Sequence, residues 1–78
     1  MTALTIYSLP ECHLCEIMQA ELAPLLRDRA ELRVVDISQD PGLQRRYALR
    51  IPVLAAGDEE LCQYHLDPDR VERYLSSL

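Results

Sequence analysis

Two cysteines three positions apart, in Cys12-His13-Leu14-Cys15, are the residues of this chain whose types and spacing most directly specify chemistry. Positions i and i+3 of a helix lie one turn apart on one face, so two such sulfurs can close a disulfide and reopen it by thiolate exchange. With Cys12 at or just before a helix start, its sulfur faces free backbone N–H groups and the positive end of the helix dipole. Both favour the thiolate. A different arithmetic uses the third cysteine. Cys62 and His65 repeat the spacing, and Cys12, Cys15, Cys62 and His65 make a ligand set suited to tetrahedral zinc. The two pairs are far apart in sequence, and Cys62 would have to face the first pair. In the plainer reading Cys62 is a small apolar strand residue and His65 a loop residue at the strand end, and no metal site is assigned.

These residues need elements to hold them. Leu4-Thr5-Ile6-Tyr7-Ser8 alternates and predicts a first strand, stopped by Pro10. From Cys12 to about Arg29, Leu14, Ile17, Met18, Leu22, Leu25 and Leu26 recur at helical steps. Pro24 removes a backbone bond inside that helix and predicts a kink or break near Ala20. Leu32-Arg33-Val34-Val35-Asp36-Ile37 reads as a second strand covered on both faces. Asp40-Pro41-Gly42 opens a short helix carrying Leu43, Tyr47 and Ala48 on one side and ending before Ile51-Pro52. Val53–Ala56 and Leu61–Tyr64, joined through Gly57-Asp58-Glu59, predict a hairpin. Asp67 then caps a last helix, with Pro68 at its first position and Val71, Tyr74, Leu75 and Leu78 on its apolar side. A helical crossover makes the first two strands parallel and the hairpin makes the last two antiparallel. The expectation is an α/β domain with a four-stranded mixed sheet and three helices, in the order βαβαββα.

Composition narrows the function. The chain has 78 residues, 49% hydrophobic, and a net charge of −5, which predicts one globular domain over residues 1–78 that buries about 60% of its unfolded surface. All eight basic residues are arginine, which excludes lysine chemistry, and the acidic balance argues against nucleic acid or an anionic membrane as partner. No apolar run reaches the roughly 18 residues of a membrane span. Nothing at Met1-Thr2-Ala3-Leu4 reads as a secretory signal, so the expected location is cytoplasmic, where cysteines are kept reduced. A monomer is expected.

With the cysteine pair at the first strand-to-helix junction, this element order, and Arg50-Ile51-Pro52-Val53 before the third strand, the chain resembles the glutaredoxin-like members of the thioredoxin superfamily along essentially its whole length. The resemblance implies a thioredoxin-like fold and a disulfide oxidoreductase, with Cys12 as nucleophile and Cys15 as resolving thiol. It implies a cis Pro52 lying against the pair and a backbone at Ile51 that pairs with an extended substrate. Arg50 is implied as an anion contact, and Asp67 as the match to the family's glutathione-binding aspartate; His13, between the thiols, is a further candidate contact. The implied partners are disulfide-containing proteins or glutathione, with no tightly bound cofactor and glutathione as a candidate reductant. The chain also departs from the family. Glu11 precedes Cys12, Glu16 follows Cys15, and both oppose thiolate formation. The family's Gly-Gly-x-Asp pattern after the fourth strand is absent, its place held by Tyr64-His65-Leu66-Asp67. The alternatives to the enzyme are a non-catalytic module using the Ile51-Pro52 groove, and the zinc domain above.

Overall fold

The computed structural model describes residues 2–78. Strand β1 (Thr2–Ser8) leads to helix α1 (His13–Leu26), and strand β2 (Ala30–Asp36) follows. A 3-10 turn over Ile37–Gln39 precedes helix α2 (Pro41–Tyr47). Strands β3 (Val53–Ala56) and β4 (Glu59–Gln63) and helix α3 (Pro68–Ser76) complete the chain. The strands lie in the order β2-β1-β3-β4, with β1 parallel to β2 and antiparallel to β3, and with β3 antiparallel to β4. The result is the expected four-stranded mixed sheet with three helices.

Strand alternation assigns the two faces. Leu4 and Ile6 of β1 and Leu54 of β3 point to one face, where Met18, Leu22 and Leu26 of α1 and Val71 and Leu75 of α3 cover them. Tyr7 and Val53 point to the other face and pack with Ile37, Leu43 and Tyr47, so α2 closes that side. The caps follow from side-chain chemistry. Asp40 accepts the Gly42 and Leu43 amides at 2.9 and 3.2 Å, and Asp67 accepts the Arg70 amide at 3.2 Å. Gly57 turns the hairpin at φ +61°, a backbone region that favours glycine.

Five expectations are corrected. Helix α1 runs unbroken through Ala20, because Pro24 falls in its last turn; Ala20 and Pro24 are both exposed, so water can take the bond that the proline forgoes. It stops at Leu26 rather than near Arg29, and Asp28 turns the chain at φ 61°. Strand β2 is an edge strand rather than a doubly covered one. Its residues alternate between half-buried and exposed from Ala30 to Arg33, Val34 beside Ile6 is 54% exposed, and Val35 is half-buried. Ile37 leaves the strand for the following turn and is fully buried. At the far end, α3 ends at Ser76, so Leu78 lies beyond it and is exposed.

Candidate active site

The first strand delivers the cysteine pair. After Ser8 the chain turns through Leu9, Pro10 and Glu11, with Glu11 at φ 60°, and enters α1 at Cys12. Cys12 is the N-cap, extended at φ −94° and ψ 107°, and its Sγ accepts the Cys15 amide at 3.2 Å. Its carbonyl accepts the Glu16 amide at 3.1 Å, the first bond of the helix. Thus a sulfur stands where Ser or Asp stands in most caps, and an unpaired helix N–H is directed at it. The two cysteines form a disulfide with Cα atoms 5.2 Å apart. Cys12 is half-buried, whereas Cys15 is only 2% exposed. Of the pair, Cys12 is the sulfur an incoming group can reach.

Strand β3 delivers the second half. The Ile51–Pro52 peptide bond is cis, and Pro52 is buried. The β1–β3 register pairs Tyr7 with Val53, which places Pro52 beside Ser8 at the sheet end where the cysteine turn begins. Leu9 and Ile51 pack into the same apolar cluster. Among the described residues, the Ile51 N–H and carbonyl have no hydrogen-bond partner. They remain open to an extended chain.

The flanking candidates are placed differently from one another. Arg50 is gripped by Glu60, with Nη1 2.5 Å from Oε1 and Nη2 3.2 Å from Oε2. Nη1 also donates to Gln63 Oε1 at 3.2 Å and Nη2 to the Arg46 carbonyl at 2.9 Å. The guanidinium lies 5.4 Å from the Tyr47 ring centre, with Arg46 on the same ring at 5.3 Å. Hydrogen bonding to Arg50 holds the Glu60 carboxyl below its usual range. His13 is exposed, with Nδ1 4.0 Å from Glu16 Oε2. Glu11 and Glu16 are also exposed. Asp67 serves as the cap of α3. His65 is exposed, and Cys62 packs at the edge of the larger core, where burial pushes its thiol up. Among the described residues, no three His, Cys, Asp or Glu side chains come together as a metal-ligand set, so the zinc arithmetic of Cys12, Cys15, Cys62 and His65 has no geometric counterpart.

Tyr64 was not singled out by the sequence. It lies just after β4, outside the strand expected to run to Tyr64, at φ 67°; its amide donates to the Pro52 carbonyl at 2.9 Å, and its hydroxyl donates to the Leu49 carbonyl at 2.6 Å. It therefore ties both ends of the Leu49–Pro52 segment to β4. No sequence pattern marks a tyrosine for a left-handed backbone, so this role had no signal. Glu60 and Gln63 were missed for another reason: their partnership with Arg50 exists only once the hairpin folds back.

A family model described as a glutaredoxin-like domain (DUF836) matches residues 3–76. The chain belongs to the glutaredoxin-like domain family. As a glutaredoxin-like domain it is similar in structure to protein Ne2328 of Nitrosomonas europaea, with 41% identity over 94% of this chain and 89% of that one, and a TM-score of 0.83. It is also similar to a structural-genomics target protein of X. campestris, with 32% identity over 96% and 97% of the two chains and a TM-score of 0.73. Mitochondrial thioredoxin 3 of Saccharomyces cerevisiae shares the fold at 17% identity, with a TM-score of 0.65 over 99% of this chain and 78% of that one. No curated protein matches the domain. Among the described residues, no helix of the glutaredoxin-like domain is long and apolar enough to cross a membrane. A thioredoxin-like fold with its cysteine pair at disulfide distance fits a redox role.

Proposed function

We propose that this glutaredoxin-like domain is a small thiol-disulfide oxidoreductase, with Cys12 as the nucleophile and Cys15 as the resolving thiol. One observation carries the reading: the reachable sulfur, Cys12 Sγ, is the helix cap and accepts the Cys15 amide at 3.2 Å, while its buried partner lies within bonding reach. In the reduced protein that amide and the helix dipole stabilise a Cys12 thiolate.

The thiolate attacks one sulfur of a substrate disulfide. A Cys12–substrate bond forms, the substrate's own S–S bond breaks, and the leaving sulfur departs as a thiolate that takes a proton from water. Cys15, once deprotonated, attacks Cys12 Sγ and expels the second substrate sulfur. Two electrons pass to the substrate, and the Cys12–Cys15 disulfide remains. An external thiol reductant, glutathione or a dithiol reductase, returns it to the dithiol, so the cycle uses no tightly bound cofactor. Ile51 offers its open N–H and carbonyl to the substrate backbone, and Pro52 holds that segment against the pair. His13, between the two cysteines, and Asp67, at the start of α3, are candidate substrate contacts. The substrates are proteins carrying a disulfide, or a mixed disulfide with glutathione, met by a monomer in the reducing cytoplasm.

Incubating the reduced protein with insulin or a glutathionylated peptide tests the reading. Disulfide reduction faster than that by a small dithiol, lost in Cys12→Ser, is expected; no reduction by the wild type overturns it.

A further inference from the structure

Glutathione carries two carboxylates, whereas the backbone of an internal stretch of polypeptide carries none. A site that takes glutathione in preference must therefore present cationic groups or free N–H donors to those carboxylates. In this structure the Arg50 guanidinium and several of the backbone donors near the Ile51-Pro52 groove are already engaged. Arg50 adjoins Ile51 in the chain, and four of its five N–H groups are taken: two by Glu60, one by Gln63 and one by the Arg46 carbonyl. Glu60 also cancels its charge. At the end of β4, the Tyr64 amide is held by the Pro52 carbonyl at 2.9 Å, and the His65 amide by the Gln63 carbonyl at 2.8 Å. At the start of α3, the Arg70 amide is held by Asp67 Oδ1 at 3.2 Å. Around the cysteines the exposed carboxylates are Glu11 and Glu16, which repel a carboxylate, with the exposed His13 imidazole 4.0 Å from Glu16. By contrast, the backbone N–H and carbonyl of Ile51 have no partner among the described residues.

We infer that the groove between Cys12 and Ile51 selects an extended, uncharged polypeptide segment around a protein disulfide and discriminates against glutathione, and that the Arg50–Glu60 pair is the specificity-determining element. The inference rests on the oxidoreductase reading and narrows its substrate class. The same discrimination makes a dithiol reductase the recycling partner. Glu60 acts through Arg50 and is a positioning residue: without it, Arg50 would present a free guanidinium beside the groove. Tyr64 keeps the groove shaped for a backbone by holding the Leu49 and Pro52 carbonyls.

The test uses the full-length pre-reduced protein and two mixed disulfides with the same chromogenic aromatic leaving thiol. One is built on a neutral cysteine peptide blocked at both ends, and the other on glutathione. Dithiothreitol, reacted with both, supplies their intrinsic reactivity ratio. After division by that ratio, the protein is expected to release the chromophore about tenfold or more faster from the peptide. Glu60→Gln is expected to reduce that preference several-fold by freeing Arg50, with circular dichroism confirming an intact fold. Equal rates, or a preference for glutathione, overturn the specificity while leaving the oxidoreductase reading in place. An unchanged preference in folded Glu60→Gln overturns the assignment to Arg50. Rates no faster than dithiothreitol with either substrate overturn the oxidoreductase reading itself.

Discussion

Cys12 and Cys15 are joined twice: by their disulfide, and by a hydrogen bond of 3.2 Å from the Cys15 amide to Cys12 Sγ. The second link is made by the backbone. In the proposed cycle the same N–H would face the Cys12 thiolate after reduction, so the helix start would serve both the closed and the open pair.

The two thiols should therefore fail in different ways. Cys12→Ser abolishes exchange, because the reachable nucleophile is gone. Cys15→Ser allows the first attack and leaves the substrate bonded to Cys12, an adduct visible by mass spectrometry under non-reducing conditions. Accumulation of that adduct on Cys15 in the Cys12→Ser protein would reverse the assignment.

The core should respond to truncation according to burial. Leu22 is 0% exposed between α1 and the sheet, so Leu22→Ala is expected to cost about 2–5 kcal/mol in denaturant unfolding. Leu49 is 90% exposed, and Leu49→Ala should change stability by no more than about 0.5 kcal/mol.

Arg50 and Glu60 should give an acid-dependent stability term. The arginine holds Glu60 below the ordinary carboxyl value of 4.5, so the unfolded chain takes up that proton more readily than the folded one. The contribution of the pair is complete above pH 4.5 and is lost as pH falls through the lowered folded value. Wild type is expected to be more stable than Glu60→Gln at neutral pH, and the two should converge in acid. Urea midpoints across the pH range measure this, and a gap that persists unchanged in acid would contradict it.

Cys62 should behave as a packing residue. Desolvation by burial raises its thiol pKa above the ordinary value, which lowers its thiolate fraction at neutral pH. Alkylation in the folded protein should be slower than in the urea-unfolded protein, and Cys62→Ala should retain disulfide exchange at a rate within about twofold of wild type. Loss of exchange in folded Cys62→Ala would assign the third thiol to the chemistry.

Much of this was legible from local chemistry. The alternation of Leu4, Ile6 and Tyr7, the helical recurrence of Met18, Leu22 and Leu26, and the Asp–Pro pairs at Asp40 and Asp67 located strands and helices because each is a short-range rule. The cysteine pair was legible for the same reason, since its spacing and its place after a strand define its geometry. Where tertiary context decides, the sequence was mute or misleading. Val34 and Val35 look like a central strand, yet an edge strand can carry β-branched residues when one side is covered by a helix. Pro24 looked disruptive because its distance from the helix end depends on where Asp28 turns the chain. Arg50 looked available because the hairpin that brings Glu60 to it lies ten residues downstream. Tyr64 was invisible, since its role rests on a backbone conformation that tyrosine seldom adopts.

The most direct test of the central claim is a thiolate titration of Cys12 in the reduced Cys62→Ala protein, followed by ultraviolet absorbance and assigned by its loss in Cys12→Ser. A helix-capped nucleophile is expected to titrate below the free-thiol value of about 8.5, despite Glu11 and Glu16 nearby. A midpoint at or above that value would contradict the account, because the reachable sulfur would then be a protonated thiol at neutral pH and a poor nucleophile.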